Sequence, residues 1–314
     1  MISLKKIKVA VIGVGYLGRF HAQKYAMLEE AELVGVVDPD PARAAGVAAE
    51  VNTKAFTSPQ ELLGKVDAVS IVTPTEHHYR LGMEFLSRGV HVMMEKPITA
   101  ASKEARSLVD EAERTKAVLQ VGHLERFNGA MLALGNRIKD PVYIEAVRAS
   151  PFPNRSTDVD VILDVMIHDL DLVLSIARSE PVKVEAMAVP VVSAGKADFA
   201  NARVTFQSGC VANITSSRVS KERVRKINVV QPDAMVSIDY ATQGLTLTRT
   251  VAGQGPVARQ VDDDITVEKK DSLLEELRSF LFSITTGARP VVSGMDGMKA
   301  LELAELVQRS AGCR

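Results

Sequence analysis

Ile7-Lys8-Val9-Ala10-Val11-Ile12-Gly13-Val14-Gly15-Tyr16-Leu17-Gly18 is the stretch on which the reading of this chain turns. An apolar run, Ile7 to Ile12, meets a glycine turn, and a helical pattern starts at Tyr16 or Leu17. That is strand, turn, helix. In such a unit the first glycine permits the tight turn, the second lets a pyrophosphate approach the backbone, and the third lets the helix pack on the strand. The helix start directs its N–H groups and the positive end of its dipole at the phosphates. A second apolar run, Leu33 to Val37, ends in Asp38, about 20 residues beyond the turn, where a carboxylate accepts ribose hydroxyls. Gly13, Gly15, Tyr16, Leu17, Gly18 and Asp38 are therefore expected to hold a dinucleotide; the alternative is a purely structural turn.

Asp38 also bears on which dinucleotide. A carboxylate repels a 2′-phosphate, and Pro39 and Asp40 bring no arginine to neutralise one. NAD is expected over NADP. Arg43, the nearest cation, is assigned to the next helix. Asp38 equally suits a turn residue before Pro39, and the two readings coexist.

Outward from this unit, short apolar strands keep alternating with helices. Asp67 to Thr73 is expected to be a buried strand running into Thr73-Pro74, with a helix from about His77 to Arg88. Val90 to Met94 is the next strand and ends in Glu95-Lys96-Pro97; Ser102 opens a helix to Thr115, and Val118 to Val121 closes the series. The alternation predicts an α/β doubly wound parallel sheet, with strand ends facing a ligand crevice. Thr73, Pro74, His78, Glu95 and Lys96 are then candidates to line the cofactor. For His77 and His78 the alternative is a pair of surface residues in a first helical turn. In the first helix, Leu17, Phe20, Met27 and Leu28 form the expected core-facing stripe, and His21 is placed on the surface or beside the cofactor.

The pattern changes beyond residue 122. Val142 to Ala149 alternates, a Pro- and Asp-rich loop spans Pro151 to Asp160, and a helix is expected from Val161 to Ala177. Strand-like runs follow: Val182–Val192, 202–207, Val211–Ser217, Val224–Val230, Met235–Asp239 and Leu245–Arg249. Two helices end the chain, one with Leu273, Leu274, Leu277, Phe280, Leu281 and Ile284 on one face. Residues 1–122 are thus read as a dinucleotide-binding domain. Residues 123–314 are read as an α+β domain with a large, mostly antiparallel sheet for substrate binding and oligomerisation, its final helix packing back toward the first domain. One sheet face is left for a partner copy, so a homo-dimer or tetramer is expected.

Composition bounds the function. With 314 residues, 46% hydrophobic and 25% charged, the chain can build two ordinary cores. A net charge of −1 gives no support to nucleic-acid or anionic-membrane binding. Two cysteines, Cys210 and Cys313, make neither a disulfide framework nor a zinc site, and no metal is expected. They fit a reducing cytoplasm. The start of the chain runs straight into the first strand with no room for a signal peptide, and no apolar run approaches a membrane span.

Three residues carry candidate chemistry. Lys96 sits at a strand end, biased to extended backbone by Pro97. Asp164 and His168 stand at i and i+4 on one helix face, where the imidazole can act as a base and the carboxylate can orient it. Asp169 and Asp171 add carboxylates, Asp171 lying further round the helix. Spacing alone leaves open that Asp164, His168 and Asp171 are a solvated helix face.

The glycine loop, Thr73-Pro74, Glu95-Lys96-Pro97 and Asp164-Val165-Met166-Ile167-His168, in that order, resemble the glucose–fructose oxidoreductase/inositol dehydrogenase family, Gfo/Idh/MocA. The resemblance covers essentially the whole chain. It implies a Rossmann domain, a C-terminal open-sheet domain used for oligomerisation, and hydride transfer between a nicotinamide and a secondary alcohol of a sugar or cyclitol. It puts Lys96, Asp164 and His168 on catalytic positions. Met166 departs from the glycine common in the family and is expected to narrow the sugar pocket. A narrower resemblance, through Val121 to Asn128 and Gln231-Pro232-Asp233-Ala234, is to members that oxidise the 3-hydroxyl of UDP-N-acetylglucosamine. It makes Arg126 and Asn128, with Lys96, Asp164 and His168, candidate substrate contacts. Arg218, Lys221, Arg223, Arg225 and Lys226 become a basic cluster for a diphosphate, or else a solvated hairpin. Competing expectations are inositol, free-sugar, dihydrodiol or imine chemistry on the same scaffold, and a dinucleotide-binding sensor without turnover.

Overall fold

The structure, a computed structural model, describes residues 6–152, 159–251 and 259–313, so residues 153–158 of the Pro- and Asp-rich loop lie outside the described residues. The chain divides into two compact units, 1–124 with 271–298, and 125–270 with 299–314. The division is therefore not the single cut expected at residue 122: a C-terminal segment, Asp271–Met298, belongs to the first unit.

The first unit holds six strands: β1 (Ile7–Ile12), β2 (Ala31–Val37), β3 (Lys54–Phe56), β4 (Ala68–Ile71), β5 (His91–Met94) and β6 (Leu119–Val121). They lie in the order β3-β2-β1-β4-β5-β6, every pair parallel. This is the doubly wound order, in which the crevice opens beyond the carboxyl ends of the strands where the order reverses. Here that is between β1 and β4. The helices are α1 (Tyr16–Met27), α2 (Pro41–Glu50), α3 (His78–Leu86) and α4 (Ser102–Thr115). Asp40 caps α2 by accepting from the Ala42 and Arg43 N–H groups, with Pro41 as the first helical residue.

α7 (Ser272–Thr286), capped by Asp271, packs Leu277, Phe280 and Leu281 into the core formed by Val9, Val11, Ala22 and Tyr25. α1 departs from its expected stripe. Its buried residues are Gly18, His21, Ala22 and Tyr25, whereas Phe20 and Met27 are exposed. Tyr25 and His21 occupy core positions because the protein supplies them with polar surroundings. The Tyr25 hydroxyl lies 2.9 Å from Ser70 Oγ.

The second unit holds an eight-stranded sheet. Its strands are β7 (Tyr143–Ala149), β8 (Pro181–Val189), β9 (Phe199–Phe206), β10 (Val211–Ser217), β11 (Val224–Gln231), β12 (Ala234–Asp239), β13 (Gly244–Val251) and β14 (Arg259–Asp264). They run in the order β14-β13-β12-β11-β7-β10-β9-β8, antiparallel except for β7 beside β10. One face carries Ile144, Ala146, Val204, Ile214, Ile227 and Val229, in one core with Ile167, Leu170 and Val173 of α6 (Ile167–Ala177). The other face carries polar pairs across strands: Asn201 with Thr215, Asn213 with Tyr143, and Asn228 with Glu145. A short helix, α5 (Gly129–Leu134), precedes this sheet. α8 (Gly294–Ser310) ends the chain, and Leu303, Ala304 and Val307 join the second unit's core.

Candidate active site

In the first unit the glycine turn meets the β4 strand end. Gly13 takes φ +85°, and a Cβ on it would stand 2.6 Å from the Val72 carbonyl oxygen. A Cβ on Gly18 would collide with the Gly13 carbonyl, so α1 sits directly on its own turn. Nothing lies within 4 Å of where a Gly15 Cβ would be. An open hollow of about 400 Å³ lies there, lined by Val14, Gly15, Tyr16, Arg43 and Val47 among others. No side chain caps α1. Tyr16 is exposed and stacks edge-on against Phe20, while Leu17 is half-buried. Asp38 is buried beside this turn. Its Oδ2 accepts the Val14 N–H at 3.1 Å, and its Oδ1 accepts from Asp40 N–H and from Arg43 Nη1, each at 3.0 Å. Arg43 is on α2 as expected, but its guanidinium is spent on Asp38. The carboxylate still has lone pairs to offer a ribose, since each oxygen has two. Thr73 Oγ1 is buried with no hydrogen-bond partner among the described residues. An uncapped helix, an open approach at Gly15, an anionic Asp38 and an orphaned Thr73 hydroxyl fit a dinucleotide.

The strand-end residues divide. Pro74 and His77 are exposed, and Lys96 is half-buried. His78 and Glu95, expected among the cofactor's contacts, turn inward. His78 is 1% exposed, with Nδ1 2.9 Å from the Pro97 carbonyl oxygen and Nε2 2.9 Å from that of Thr73. Burial lowers its pKa, against the raising effect of those carbonyls and of Glu95. Glu95 Oε1 lies 3.2 Å from His21 Nε2, and Oε2 accepts the Lys96 N–H at 3.1 Å. Burial pushes the Glu95 carboxyl up, but the neighbouring His21 ring, with the charge and N–H of Lys96, outweighs it and leaves the pKa lowered. Both side chains, expected to line the cofactor, have their polar atoms engaged within the interior.

Behind them lies a buried group absent from the sequence reading. Glu276 of α7 is 1% exposed, and among the described residues neither carboxyl oxygen has a hydrogen-bond partner. Gln120 of β6 donates to the Glu276 main-chain carbonyl at 2.9 Å and leaves its own Oε1 unpartnered. Burial, then the charge of Glu95, raise the Glu276 pKa well above its ordinary value.

In the second unit the helix bearing Asp164 and His168 starts at Val161. Asp160 accepts the Ile162 and Leu163 N–H groups and so caps it. Its first turn, Ile162–Met166, is π-helical, with the Ile167 N–H bonded to the Ile162 carbonyl. Such wide turns inside helices recur at functional sites. Asp164 lies in the π-turn, His168 one turn later in α6, and both are half-buried. Met166, expected to narrow a sugar pocket, is fully buried in the second unit's core.

The neighbouring carboxylates are no solvated face. Asp169 is buried and takes Arg148 in a bidentate pair, 2.9 Å at each oxygen, while Arg148 also reaches Glu125 at 2.8 Å. Asp171, also buried, takes Arg126 at 2.6 and 3.0 Å. Arg126 is thereby fixed three residues along α6 from His168. Asn128, expected at the substrate, is a framework residue: its Oδ1 caps α5 at the Ala130 N–H, and its Nδ2 donates to the Tyr240 carbonyl at 3.1 Å. The basic cluster shrinks. Arg218 is fully buried against Asp198 at 2.8 Å, and Lys226 lies 3.6 Å from Asp239. Lys221, Arg223 and Arg225 stay exposed. Arg148 was legible in principle, since it falls in register with Ile144 and Ala146 on the buried face of β7.

Residues 7–123 match the oxidoreductase family with an NAD-binding Rossmann fold, and residues 135–237 match the Gfo/Idh/MocA C-terminal domain. The chain is 41% identical over 300 residues to the UDP-N-acetylglucosamine 3-dehydrogenase of Acidithiobacillus ferrooxidans, covering 95% of each chain. A solved structure of that enzyme superposes with a TM-score of 0.92, covering 98% of each chain at 40% identity. An inositol 2-dehydrogenase of Rhizobium meliloti is 28% identical over 328 residues, covering 97% of this chain and 96% of the relative. Glycine turn, Asp38, the Lys96 strand end and the helix of Asp164 and His168 thus occur in a chain that belongs to the Gfo/Idh/MocA family of NAD-binding oxidoreductases.

Proposed function

We propose that this oxidoreductase oxidises the 3-hydroxyl of UDP-N-acetylglucosamine to the 3-keto sugar. The observation that carries the reading is the 41% identity to an enzyme of that activity along 95% of both chains. Exposed Lys221, Arg223 and Arg225 support it, because a UDP-sugar brings a diphosphate that basic side chains recognise. The second reading is an inositol or free-sugar dehydrogenase, favoured by the inositol dehydrogenase relatives.

Oxidation of a secondary alcohol removes a hydride from carbon and a proton from oxygen. NAD, when bound, accepts the hydride. We assign the proton to His168, because imidazole titrates near working pH, where a general base is most effective. Asp164 orients the ring and stabilises it once charged. Lys96, protonated, donates a hydrogen bond to the oxygen as negative charge develops there. Arg126, with its charge compensated by Asp171, is assigned to the sugar. Glycine turn, Asp38, Thr73 and Pro74 are assigned to the dinucleotide.

Assembly and compartment complete the reading. A homo-dimer or tetramer forms through the sheet face that carries Asn201, Asn213 and Asn228. Cys210 and Cys313 are free thiols, which supports a reducing cytoplasm.

The test is NADH absorbance with a panel of UDP-sugars, free hexoses and inositols. UDP-N-acetylglucosamine is expected to give the highest kcat/KM. Faster turnover of an inositol or free hexose refutes the assignment.

A further inference from the structure

Lys96 is flanked by two neighbours, each within 3.2 Å of a buried histidine ring. On its amino side, Glu95 accepts the Lys96 N–H at 3.1 Å, and the same carboxylate lies 3.2 Å from His21 Nε2. His21 is fully buried on α1, the helix that the glycine turn opens. Gly122 makes room for this arrangement, since a Cβ there would stand 2.9 Å from Glu95 Oε1. On the carboxyl side, the Pro97 carbonyl lies 2.9 Å from His78 Nδ1, and the other ring nitrogen is 2.9 Å from the Thr73 carbonyl. One imidazole therefore spans the ends of β4 and β5, the two loops that carry Thr73 and Lys96.

Both partners of the His78 ring are backbone carbonyls, which only accept. A neutral ring, the form that burial favours, donates from one nitrogen to one of the two carbonyls, while its other nitrogen lies 2.9 Å from the second. Placed between them, the ring sets the separation of the two loops. A surface histidine in a first helical turn would have no such geometry.

We propose that His78 is a positioning residue for Lys96: it fixes the backbone on the carboxyl side of the lysine while Glu95, whose carboxylate lies 3.2 Å from the His21 ring, fixes the amino side. The inference rests on Lys96 acting in hydride transfer. A displacement of about 1 Å in a reacting geometry can cost on the order of 10²-fold in rate. Loss of the clamp should therefore lower kcat by more than it weakens dinucleotide binding, which the glycine turn and Asp38 hold independently of the Thr73 loop.

The test compares His78→Leu, His78→Asn and His78→Gln with the wild type. Leucine fills the space without donors, and asparagine is too short to reach across. Glutamine returns a donor at about the imidazole's reach. Expected for Leu and Asn is a kcat about 10- to 100-fold lower, with the Kd for NADH, read by fluorescence titration, within about threefold of wild type. Gln should recover most of kcat. Hydrogen exchange of the unliganded protein supplies a readout independent of turnover. The amide of Lys96 should exchange faster in the Leu and Asn variants and return toward wild type in Gln. If His78→Leu does not fold, His78→Asn decides. A folded Asn variant with wild-type kcat and unchanged exchange at Lys96 overturns the proposal. Wild-type protein that turns over no sugar at all would instead refute the dehydrogenase reading, and the exchange measurement would still decide the clamp.

Discussion

Glu276→Gln should flatten the dependence of stability on pH. The Glu276 carboxyl is buried, lacks hydrogen-bond partners and lies within electrostatic reach of the ionised Glu95. Burial first, and the Glu95 charge second, raise its pKa in the folded protein. Folding therefore keeps a proton that the unfolded chain releases above its ordinary carboxyl pKa of about 4.3. The neutral acid's contribution to stability is fully present below that pH and is lost progressively as pH rises toward the folded pKa. Across that window the wild type loses about 1.4 kcal/mol per pH unit for this one proton.

Glutamine cannot ionise, so Glu276→Gln escapes the loss. With about 2–4 °C of Tm per kcal/mol for a domain of 150–250 residues, the variant should gain on wild type by about 3–6 °C per pH unit. Packing differences between acid and amide shift the whole curve by a constant, so the slope is the readout. The assay is thermal unfolding by circular dichroism at half-unit steps from pH 5 to 8, without dinucleotide. Parallel Tm curves for the two proteins would falsify the claim that Glu276 is held neutral.

Four further outcomes are expected. Specificity constants should favour NAD over NADP, and Asp38→Ser, which frees Arg43 from its 3.0 Å pair, should narrow the preference; an NADP-preferring wild type contradicts the assignment. His168→Ala should lower kcat by roughly 10²–10⁴-fold and remove the acidic limb of the pH profile, whereas Lys96→Ala should slow turnover and leave that limb; a variant at His168 that keeps kcat and the wild-type profile passes the base to Lys96. Arg148→Met should destabilise by about 3–5 kcal/mol in urea titration, because Asp169 is left buried without its bidentate partner; a change under 1 kcal/mol would show that the pair contributes little. Light scattering should report two or four times 33.9 kDa at micromolar concentration, and a monomer alone contradicts the assembly.

The fold was legible because its signals are local. The strand that feeds Gly13, the caps at Asp40 and the alternation in β7, β10 and β11 each follow from a few adjacent residues. What escaped had no such signature. β3 is three residues long with Lys54 and Ala55 exposed, too short to show a period. α5 is a single short turn capped by Asn128, a residue read instead as a substrate contact. The π-turn at Asp164 obeys no sequence rule. The α1 stripe failed for a different reason: apolar periodicity assumes that polar side chains face water. His21 and Tyr25 do not, because Glu95 and Ser70 wait for them inside.

The same logic explains why two carboxyls in one interior behave oppositely. The phase of α7 is set by Leu277, Phe280 and Leu281, which must reach the core. Glu276 precedes Leu277 and stands one turn before Phe280, so the rotation that buries those residues buries the carboxyl too. Among the described residues neither Glu276 oxygen has a hydrogen-bond partner, and its pKa is raised well above the ordinary value. Glu95 is nearly as buried, yet it has the His21 ring on one oxygen and the Lys96 N–H on the other, and it ionises. Environments that push two pKa values apart fix where a site keeps its charge. The ionised member is the one whose oxygen holds the backbone of Lys96. The Glu95 charge is in turn one of the causes that keep the Glu276 pKa raised.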